Sequence, residues 1–254
     1  MHKKNKPKQY ISHAGSIRQR GISLFIIIVF VMLSMLLALW SFRASLFGEL
    51  VVSNEADYQR AFEAAQALVQ DAEFDVQGIN ADGSICTPNG SKPDQCRPAG
   101  SATVWFPVEA KEFGSELVPA LMAKADTQNC LKGICLKRTG SQDFWNDSTT
   151  LAAMLPVGAR YGQFTGATVG SQNSKGGNPI LKTTDDNQGG WYWIEVMQYD
   201  SQAGNSALIT NGSTNIKLNP VANVVFRITA IAKGLKSGTQ VVLQTTYVRQ
   251  KLMD

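Results

Sequence analysis

The feature that most constrains this chain is an uncharged apolar run of 21 residues at positions 22–42. As an α-helix the run would be about 31 Å long, which matches the hydrocarbon thickness of a bilayer. Six basic residues and no acidic residue precede it. Since basic flanks stay on the cytoplasmic side, we expect a single membrane span with a cytoplasmic N-terminus and an exported C-terminal body. The run is too long for the usual apolar core of a signal peptide.

Charge and histidine are divided unevenly about this run. The sequence has a formal charge of +4, but without residues 1–21 it would carry 18 basic and 20 acidic residues, a charge of −2. Both histidines, His2 and His13, lie in the same N-terminal segment. If that segment is removed, Ser-His-Asp catalysis, Cys-His catalysis and His-ligated metals are all excluded. Known catalytic motifs and a basic stripe interleaved with aromatics are also absent from the sequence. We therefore expect no enzyme, no cofactor, no metal and no nucleic-acid partner.

Helical periodicity continues beyond the apolar run. Between positions 47 and 72, apolar residues recur at three- and four-residue steps, which is typical of an amphipathic helix. The charged and amide residues between them, including Asp57 and Asp71, are assigned to its polar face. No proline interrupts the span and Gly78 is expected to end it. The sequence predicts one helix from Ile22 to about Asp75, roughly 80 Å long, whose second part needs a domain to cover its apolar face.

Four cysteines follow the apolar run and form two close pairs in sequence: Cys86, Cys96, Cys130 and Cys135. An even number in an exported body favours disulfides. Local pairing of Cys86 with Cys96 and of Cys130 with Cys135 is one of three connectivities, and it is favoured because short loops close most readily. A Cys₄ zinc site is the alternative, although its ligands usually lie about two to four residues apart.

The C-terminal part predicts an antiparallel sheet. Three runs rich in aromatic and β-branched residues, 191–199, 222–232 and 240–249, are expected to be strands, with 233–238 as a hairpin connection. In the second run, alternate apolar residues would share one sheet face that covers the helix. Upstream, we expect a strand at 102–108, helices at 115–126 and 142–155, and mostly loop at 158–190.

Two local features admit more than one interpretation. Trp191 and Trp193 alternate with Tyr192 and Ile194, so both faces of that strand are aromatic or apolar. One face could bind a partner, but cover by the helix on one side and by loops on the other is favoured. The acidic loop 185–187 could bind Ca²⁺, but it lacks the spacing of an EF-hand, and a solvated turn is favoured.

The junction of the basic leader with the apolar run resembles the cleavage site of type IV prepilins. Arg18-Gln19-Arg20-Gly21 lies directly before Ile22-Ser23-Leu24-Phe25. In that family a basic leader ends in Gly and the following apolar helix is retained. The resemblance implies that a prepilin peptidase cuts between Gly21 and Ile22 on the cytoplasmic side and then methylates the new N-terminus at Ile22.

Further along, the chain resembles the PilX-type minor pilins. The segment A-F-E-A-A-Q-A-L-V-Q-D-A-E at 61–73 is similar to their first helix, with Gln66 in place of a usual Glu. Three later segments, W-I-E, F-R-I-T-A and V-L-Q-T-T-Y, are similar to their C-terminal strands and occur in the same order. The resemblance covers 18–73 and 191–249, whereas 74–190 resembles no family.

The resemblance implies an α+β pilin fold, in which a long N-terminal helix, transmembrane and then amphipathic, packs on an antiparallel β-sheet head with a loop-rich insertion. The corresponding parts are a cleaved leader at 1–21, the transmembrane half of the helix at 22–42, its amphipathic half at 43–78 and the head at 79–254. The chain would lie in the inner membrane, crossing it once, before it enters an extracellular pilus.

One family feature is missing. Most pilins have a glutamate at the fifth residue of the mature chain, where this sequence has Ile26, and no acidic residue precedes Glu49 in the helix. In the family that buried carboxylate is thought to neutralise the N-terminal amine of a neighbouring subunit. A carboxylate in lipid is costly and therefore usually functional. Since a subunit without it has no such partner to offer the subunit above, the hypothesis is that this chain caps the filament tip; general tolerance of an apolar replacement in a minor component is the alternative.

The family resemblance predicts a minor pilin that primes assembly of a type IV pilus and lies at or near its tip. Its expected partners are the prepilin peptidase, other minor pilins, the major pilin and a large tip adhesin, with roles in adhesion and twitching motility. A minor pseudopilin of a type II secretion system is the first alternative, since those subunits can also lack the carboxylate. A single-pass anchored exported protein unrelated to pili is the second.

Overall fold

The structure, a computed structural model, describes residues 22–88, 95–97, 104–107, 110–123, 128–170, 177–198 and 224–249. The helices are α1 (Ile22–Gln77), α2 (Ala110–Glu112), α3 (Val118–Met122), α4 (Ser148–Met154) and α5 (Pro179–Lys182). A π-helical turn spans Phe113–Leu117, and 3₁₀ turns span Phe144–Asn146 and Leu155–Val157. The strands are β1 (Cys130–Leu131), β2 (Ile134–Leu136), β3 (Gly190–Gln198), β4 (Val224–Lys233) and β5 (Gln240–Tyr247).

The long helix α1 ends where the sequence predicts. Gly78 has a φ of 71°, a left-handed conformation that glycine adopts without a steric cost. Its N–H donates to the carbonyl of Asp75 at 3.2 Å, and the N–H of Ile79 donates to the carbonyl of Phe74 at 3.1 Å. This pair of hydrogen bonds is a Schellman motif, which satisfies carbonyls at the end of the helix.

The chain divides into two compact units, Met1–Val52 and Ser53–Asp254. In the first unit, every described residue from 22 to 52 belongs to α1 and is exposed. Its helix is long and apolar enough to cross a membrane, with a mean hydropathy of 3.1 in its most apolar window. The second unit, which we call the head, contains the rest of α1 and every strand of the described residues.

The core of the head lies between α1 and one face of the sheet. Small side chains on one face of α1 allow the two layers to approach closely, and the buried residues of that face are Ala61, Ala64, Ala65, Leu68, Ala72 and Val76. Gly190 at the start of β3 is part of this close approach, because a Cβ there would lie 2.5 Å from Cδ1 of Leu68. On β4, the alternating residues Phe226, Ile228 and Ala230 belong to the same cluster, as predicted.

The sheet has the order β1-β2-β3-β4-β5. The three long strands, β3 to β5, pair antiparallel with one another, and the hairpin between β4 and β5 pairs Lys233 with Gln240. The α+β fold class with a long helix and this C-terminal sheet is therefore confirmed. The short strands β1 and β2 were not expected, and β2 pairs in parallel with β3, so the sheet is mixed. The long connection that contains α4 and α5 makes a parallel return possible.

The middle of the chain departs from the sequence predictions in two places. The prediction of a strand at 102–108 was wrong for residues 104–107, the part that the structure describes, because they form no strand. Val104 and Phe106 are nevertheless buried in the core. The helix predicted at 115–126 begins earlier, at Ala110, and a π-helical turn precedes Pro119, which lacks the N–H that would continue the α-helical pattern. The other predicted helix, 142–155, appears as α4 with flanking 3₁₀ turns.

Candidate functional site

The residues that the sequence singles out for maturation lie at or before the start of α1. Gly21 lies outside the described residues, and Ile22 is the first residue of the helix. Ile26, at the position of the usual pilin glutamate, is one turn further along and is 47% exposed. With no charged side chain from 22 to 42, this surface offers only apolar contacts, so it suits lipid or other apolar helices.

The head is fastened to its part of α1 by three buried aspartates, Asp57, Asp71 and Asp75, which we call the aspartate seam. The spacings of 14 and 4 residues place their side chains within about 40° of one another around the helix. The assignment of Asp57 and Asp71 to a polar solvent face was wrong, since each is only 1% exposed. Its physical reason is that each carboxylate is hydrogen-bonded to the head, which makes burial of a polar group tolerable.

Asp57 binds the hairpin between β4 and β5. Its carboxylate accepts the N–H of Leu235 at 2.9 Å and that of Lys236 at 3.1 Å. Gly234 makes room for it, because a Cβ there would contact Oδ2 of Asp57 and lie 2.6 Å from Cβ of Thr239. Burial alone would raise the pKa of Asp57, but hydrogen bonds from Lys236, Thr239 and Leu235 and the charge of Lys236 together lower it.

Asp71 binds the loop that follows Ala159. It accepts the N–H of Gly162 at 2.7 Å and a short hydrogen bond from the hydroxyl of Thr165. Burial raises the pKa of Asp71 to about 6, because desolvation of the charged form and repulsion from Asp75 outweigh these hydrogen bonds and the attraction of Arg97. The pKa values of Asp57 and Asp71 are therefore shifted in opposite directions, although both are aspartates on the same face of the helix.

Asp75 lies at the C-terminal end of the seam and pairs with Arg97. Nε of Arg97 lies 2.8 Å from Oδ1 and 3.0 Å from Oδ2, and the hydroxyl of Tyr192 donates to Oδ2 at 3.0 Å. Burial raises the pKa of Asp75 in spite of the guanidinium, and burial with the nearby carboxylates raises that of Tyr192. The guanidinium also lies over the ring of Phe164, 3.3 Å from its centroid.

The cysteines are paired locally, Cys86 with Cys96 and Cys130 with Cys135. The first disulfide closes the loop that follows α1 and ends one residue before Arg97. The second joins β1 to β2, which are neighbours in the sheet, with their Cα atoms 4.0 Å apart. This arrangement has no free thiol among the four residues and leaves no Cys₄ group for zinc.

The second face of the sheet is also covered. Trp191, Trp193 and Ile231 are buried there under α4 and its flanking 3₁₀ turns, together with the Cys130–Cys135 disulfide. Nε1 of Trp193 donates to the carbonyl of Met154 at 3.1 Å. The favoured interpretation of the aromatic alternation, cover on both faces, is therefore confirmed, except that a helix covers this face as well.

The acidic loop at 185–187 faces a cation of the chain itself. Arg160 donates to the carbonyls of Asp185 at 2.5 Å and of Gln188 at 2.9 Å, and its guanidinium lies over the ring of Trp191. Carbonyl oxygens that could coordinate Ca²⁺ accept hydrogen bonds from a guanidinium instead. Among the described residues no cluster of metal-ligating side chains occurs.

The sequence contains a signal for the aspartate seam that the amphipathic interpretation missed. Asp57 is four residues before Ala61, Asp71 is three residues after Leu68, and Asp75 is three residues after Ala72, so each acid lies on the apolar stripe. An acidic residue at the period of a buried stripe indicates a partner in the covering domain. The partners themselves, such as Arg97, are too distant in sequence to be assigned from it.

Comparison with known proteins assigns most of the sheet to one family. The model of the type IV pilus assembly protein PilX, C-terminal part, matches residues 131–249, just under half of the chain. The match includes β2 to β5 and α4, so it extends into the region 131–190 for which the sequence suggested no family. No curated protein and no solved structure matches the chain.

Proposed function

Because the chain belongs to the PilX-like type IV pilins, we propose that it is a minor pilin that helps to start assembly of a type IV pilus. One observation carries the proposal: the match to PilX over residues 131–249, which include the three long strands of the head. The apolar helix of the same chain supports it. In this proposal the chain acts by assembly and not by catalysis.

Maturation would follow the route of the prepilins. Residues 1–21 keep the N-terminus cytoplasmic, and a prepilin peptidase cuts between Gly21 and Ile22 and methylates Ile22. The apolar part of α1 then holds the subunit in the inner membrane until it packs among similar helices in the filament. Exposure of the whole circumference from 22 to 42 supports this step, because such an uncharged apolar surface is stable only against lipid or apolar partners.

A position at or near the filament tip follows from Ile26. A subunit without a carboxylate there has nothing to neutralise the N-terminal amine of a subunit above it, so it suits the tip of a filament. The head would bind other minor pilins, the major pilin and a large tip adhesin. Roles in adhesion and twitching motility would depend on those contacts.

The experiment is a deletion complemented with variants. Deletion should reduce the number of surface pili, and the wild-type chain should restore it. Ile26→Glu should change filament number or move the tagged subunit away from the tip. The matched control Ile28→Glu does not place a carboxylate at the position that pairs with the amine, so it should not reproduce this change. If Ile26→Glu and wild type give the same filament number and subunit position, the carboxylate argument fails.

A minor pseudopilin of a type II secretion system is the second candidate, because such subunits can also lack the carboxylate. The deletion separates the two candidates. Loss of surface pili with normal protein secretion supports the pilus, whereas loss of secretion with normal piliation supports the secretion system.

A further inference from the structure

Two consecutive residues of the head, Cys96 and Arg97, have backbone conformations that side chains with a Cβ rarely adopt. Their φ angles are 70° and 40°. Conformations of this kind persist only where the surrounding structure holds them. The contacts of Cys96 and Arg97 therefore identify the interactions that hold these two backbone conformations.

Cys96 is held on both sides. Its sulfur is bonded to Cys86, in the loop that follows the end of α1, and its N–H donates to the carbonyl of Phe164 at 2.9 Å. Because Arg97 is the next residue, the disulfide fixes the point from which the Arg97 side chain enters the core.

Arg97 then connects three parts of the head. It is 5% exposed, forms the 2.8 Å ion pair with Asp75 of α1, and donates to the carbonyl of Lys132 in the β1–β2 turn at 2.6 Å. Its guanidinium also covers the ring of Phe164. Among the described residues the Nη1 atom of Arg97 has no hydrogen-bond partner. Hydrogen bonds to the guanidinium are therefore incomplete, and the backbone on which Arg97 lies must help to hold the ion pair with Asp75 in position.

We propose that the Cys86–Cys96 disulfide is a redox-dependent clamp, which inserts Arg97 against Asp75 and thereby completes the packing of the end of α1 on the head. In the reduced chain Arg97 leaves the core, Asp75 loses its counter-charge, and the last two turns of α1 loosen. The inference concerns the head alone and goes beyond the proposed role in a pilus.

The redox step is a thiol–disulfide exchange. The two thiols of Cys86 and Cys96 react with one exchangeable disulfide of a thiol–disulfide oxidoreductase, one S–S bond forms in this chain, and the oxidant is released as two thiols. Such an oxidant belongs to an exported compartment. The head would therefore reach its final form only on the far side of the membrane.

Linkage makes the proposal testable without removing a cysteine. If the disulfide stabilises the ion pair, the ion pair stabilises the disulfide by the same factor. The full-length chain in detergent is equilibrated with reduced and oxidised glutathione, the thiols are trapped by alkylation, and each cysteine pair is quantified by peptide mass. In Arg97→Gln, Cys86–Cys96 should be half reduced at a glutathione ratio at least about tenfold less reducing than in wild type, since breaking a buried pair is strongly unfavourable.

Two variants make the result specific. Asp75→Asn should give a similar shift, and the double variant should shift no further than the larger single one, because both residues act through one pair. Arg227→Gln is the matched control, since it breaks the ion pair with Glu195 at 2.6 Å elsewhere in the head. Equal half-reduction ratios in Arg97→Gln and wild type overturn the proposal, and so does an equal shift in Arg227→Gln.

Hydrogen exchange tests the structural half. In the Cys86→Ser/Cys96→Ser variant, amides 71–77 should exchange at least about tenfold faster than in wild type, while amides of β4 change less. Adding Arg97→Gln to this variant should accelerate them little further. Unchanged exchange at 71–77, or a uniform increase over the whole head, contradicts the clamp.

Discussion

The two parts of helix α1 use their side chains in opposite ways. From 22 to 52 every side chain is exposed and the apolar ones surround the helix, whereas from 53 to 77 one face is buried in the head and carries three aspartates. Leu37 is 69% exposed and Leu68 is fully buried, although both are leucines of one helix. The first part therefore depends on lipid or other subunits, and the second is completed within its own chain.

The aspartates sharpen this comparison. In the head, a charge on the apolar stripe is tolerated because Asp57, Asp71 and Asp75 each have hydrogen-bond donors from the head. From 22 to 42 every described residue is exposed and no side chain is charged, and a carboxylate on such a membrane-length apolar surface would be costly. The buried acids of α1 thus all lie in the part where the head supplies hydrogen-bond donors, and the first acidic residue of the helix is Glu49.

The largest expected effect is on the free energy of unfolding of the head, when leucine is replaced by alanine in each of the two parts of α1. Leu68→Ala should destabilise the head by about 2–5 kcal/mol, because it leaves a cavity in a packed core. Leu37→Ala should leave the unfolding of the head unchanged. Chemical denaturation of the full chain in detergent, followed by the fluorescence of buried Trp191 and Trp193, measures both. Equal losses of stability in the two variants would contradict the assignment of Leu68 to the core of the head and of Leu37 to a part of α1 that does not stabilise it.

The next effect concerns pH and Asp71. Its pKa is raised from 3.8 to about 6 in the folded chain, so between these values the folded state keeps a proton that the unfolded state releases. Stability should therefore fall as pH rises through this window, by about 3 kcal/mol in total, and stay level above it. Asp71→Asn should remove this slope, because an amide does not titrate in this range. The variant should still fold, because the amide can accept from the N–H of Gly162 and donate to the hydroxyl of Thr165.

The measurement for Asp71 is the difference between wild type and Asp71→Asn in free energy of unfolding, from about pH 4 to pH 7. Asp75, whose pKa is also raised, is common to both chains and contributes a slope of the same sign to each. A difference that does not vary with pH would show that Asp71 titrates normally in the head.

A smaller effect is expected at the hairpin. Gly234→Ala places a Cβ against the carboxylate of Asp57 and 2.6 Å from Cβ of Thr239, so it should cost about 1–3 kcal/mol by overpacking. Ser237→Ala in the same hairpin is the control and should have little effect. Hydrogen exchange of the β4–β5 amides locates the change, and a stable Gly234→Ala hairpin would show that Asp57 does not hold it.

The smallest effect is at Asp57 itself. Asp57→Asn should cost about 1 kcal/mol near pH 7, because a charged acceptor of two backbone N–H groups becomes neutral. Since the pKa of Asp57 is lowered in the folded chain, its contribution is present above pH 3.8 and is lost as pH falls through the folded pKa. The cost should therefore vanish in acid, opposite in sign to Asp71, and a cost independent of pH would contradict this.

The elements that could be predicted from sequence are those with local signals. The span of α1 follows from hydrophobicity and period, its end from Gly78, and the three long strands from alternation and β-branched residues. The short strands β1 and β2 could not be predicted, because two or three residues carry no period and their pairing with β3 is decided by a distant part of the chain.

The seam shows the same limit for the functional side chains. Spacing alone could have placed Asp71 and Asp75 on the buried face, but charge assigned Asp71 to solvent. Neither Arg97 nor Tyr192 has a local pattern that links it to Asp75, since such pairs form only when the head folds on the helix. The proposed maturation residues are the converse case, because Gly21 and Ile22 are predicted from a linear motif alone.

The most direct test of the central claim, that this chain matures as a type IV pilin, is the N-terminus of the protein purified from cells. Mass spectrometry of its N-terminal peptide should find an N-methylated Ile22 and no residue from 1–21. An intact Met1, or a new N-terminus near Ala44 beyond the apolar run, would contradict the account.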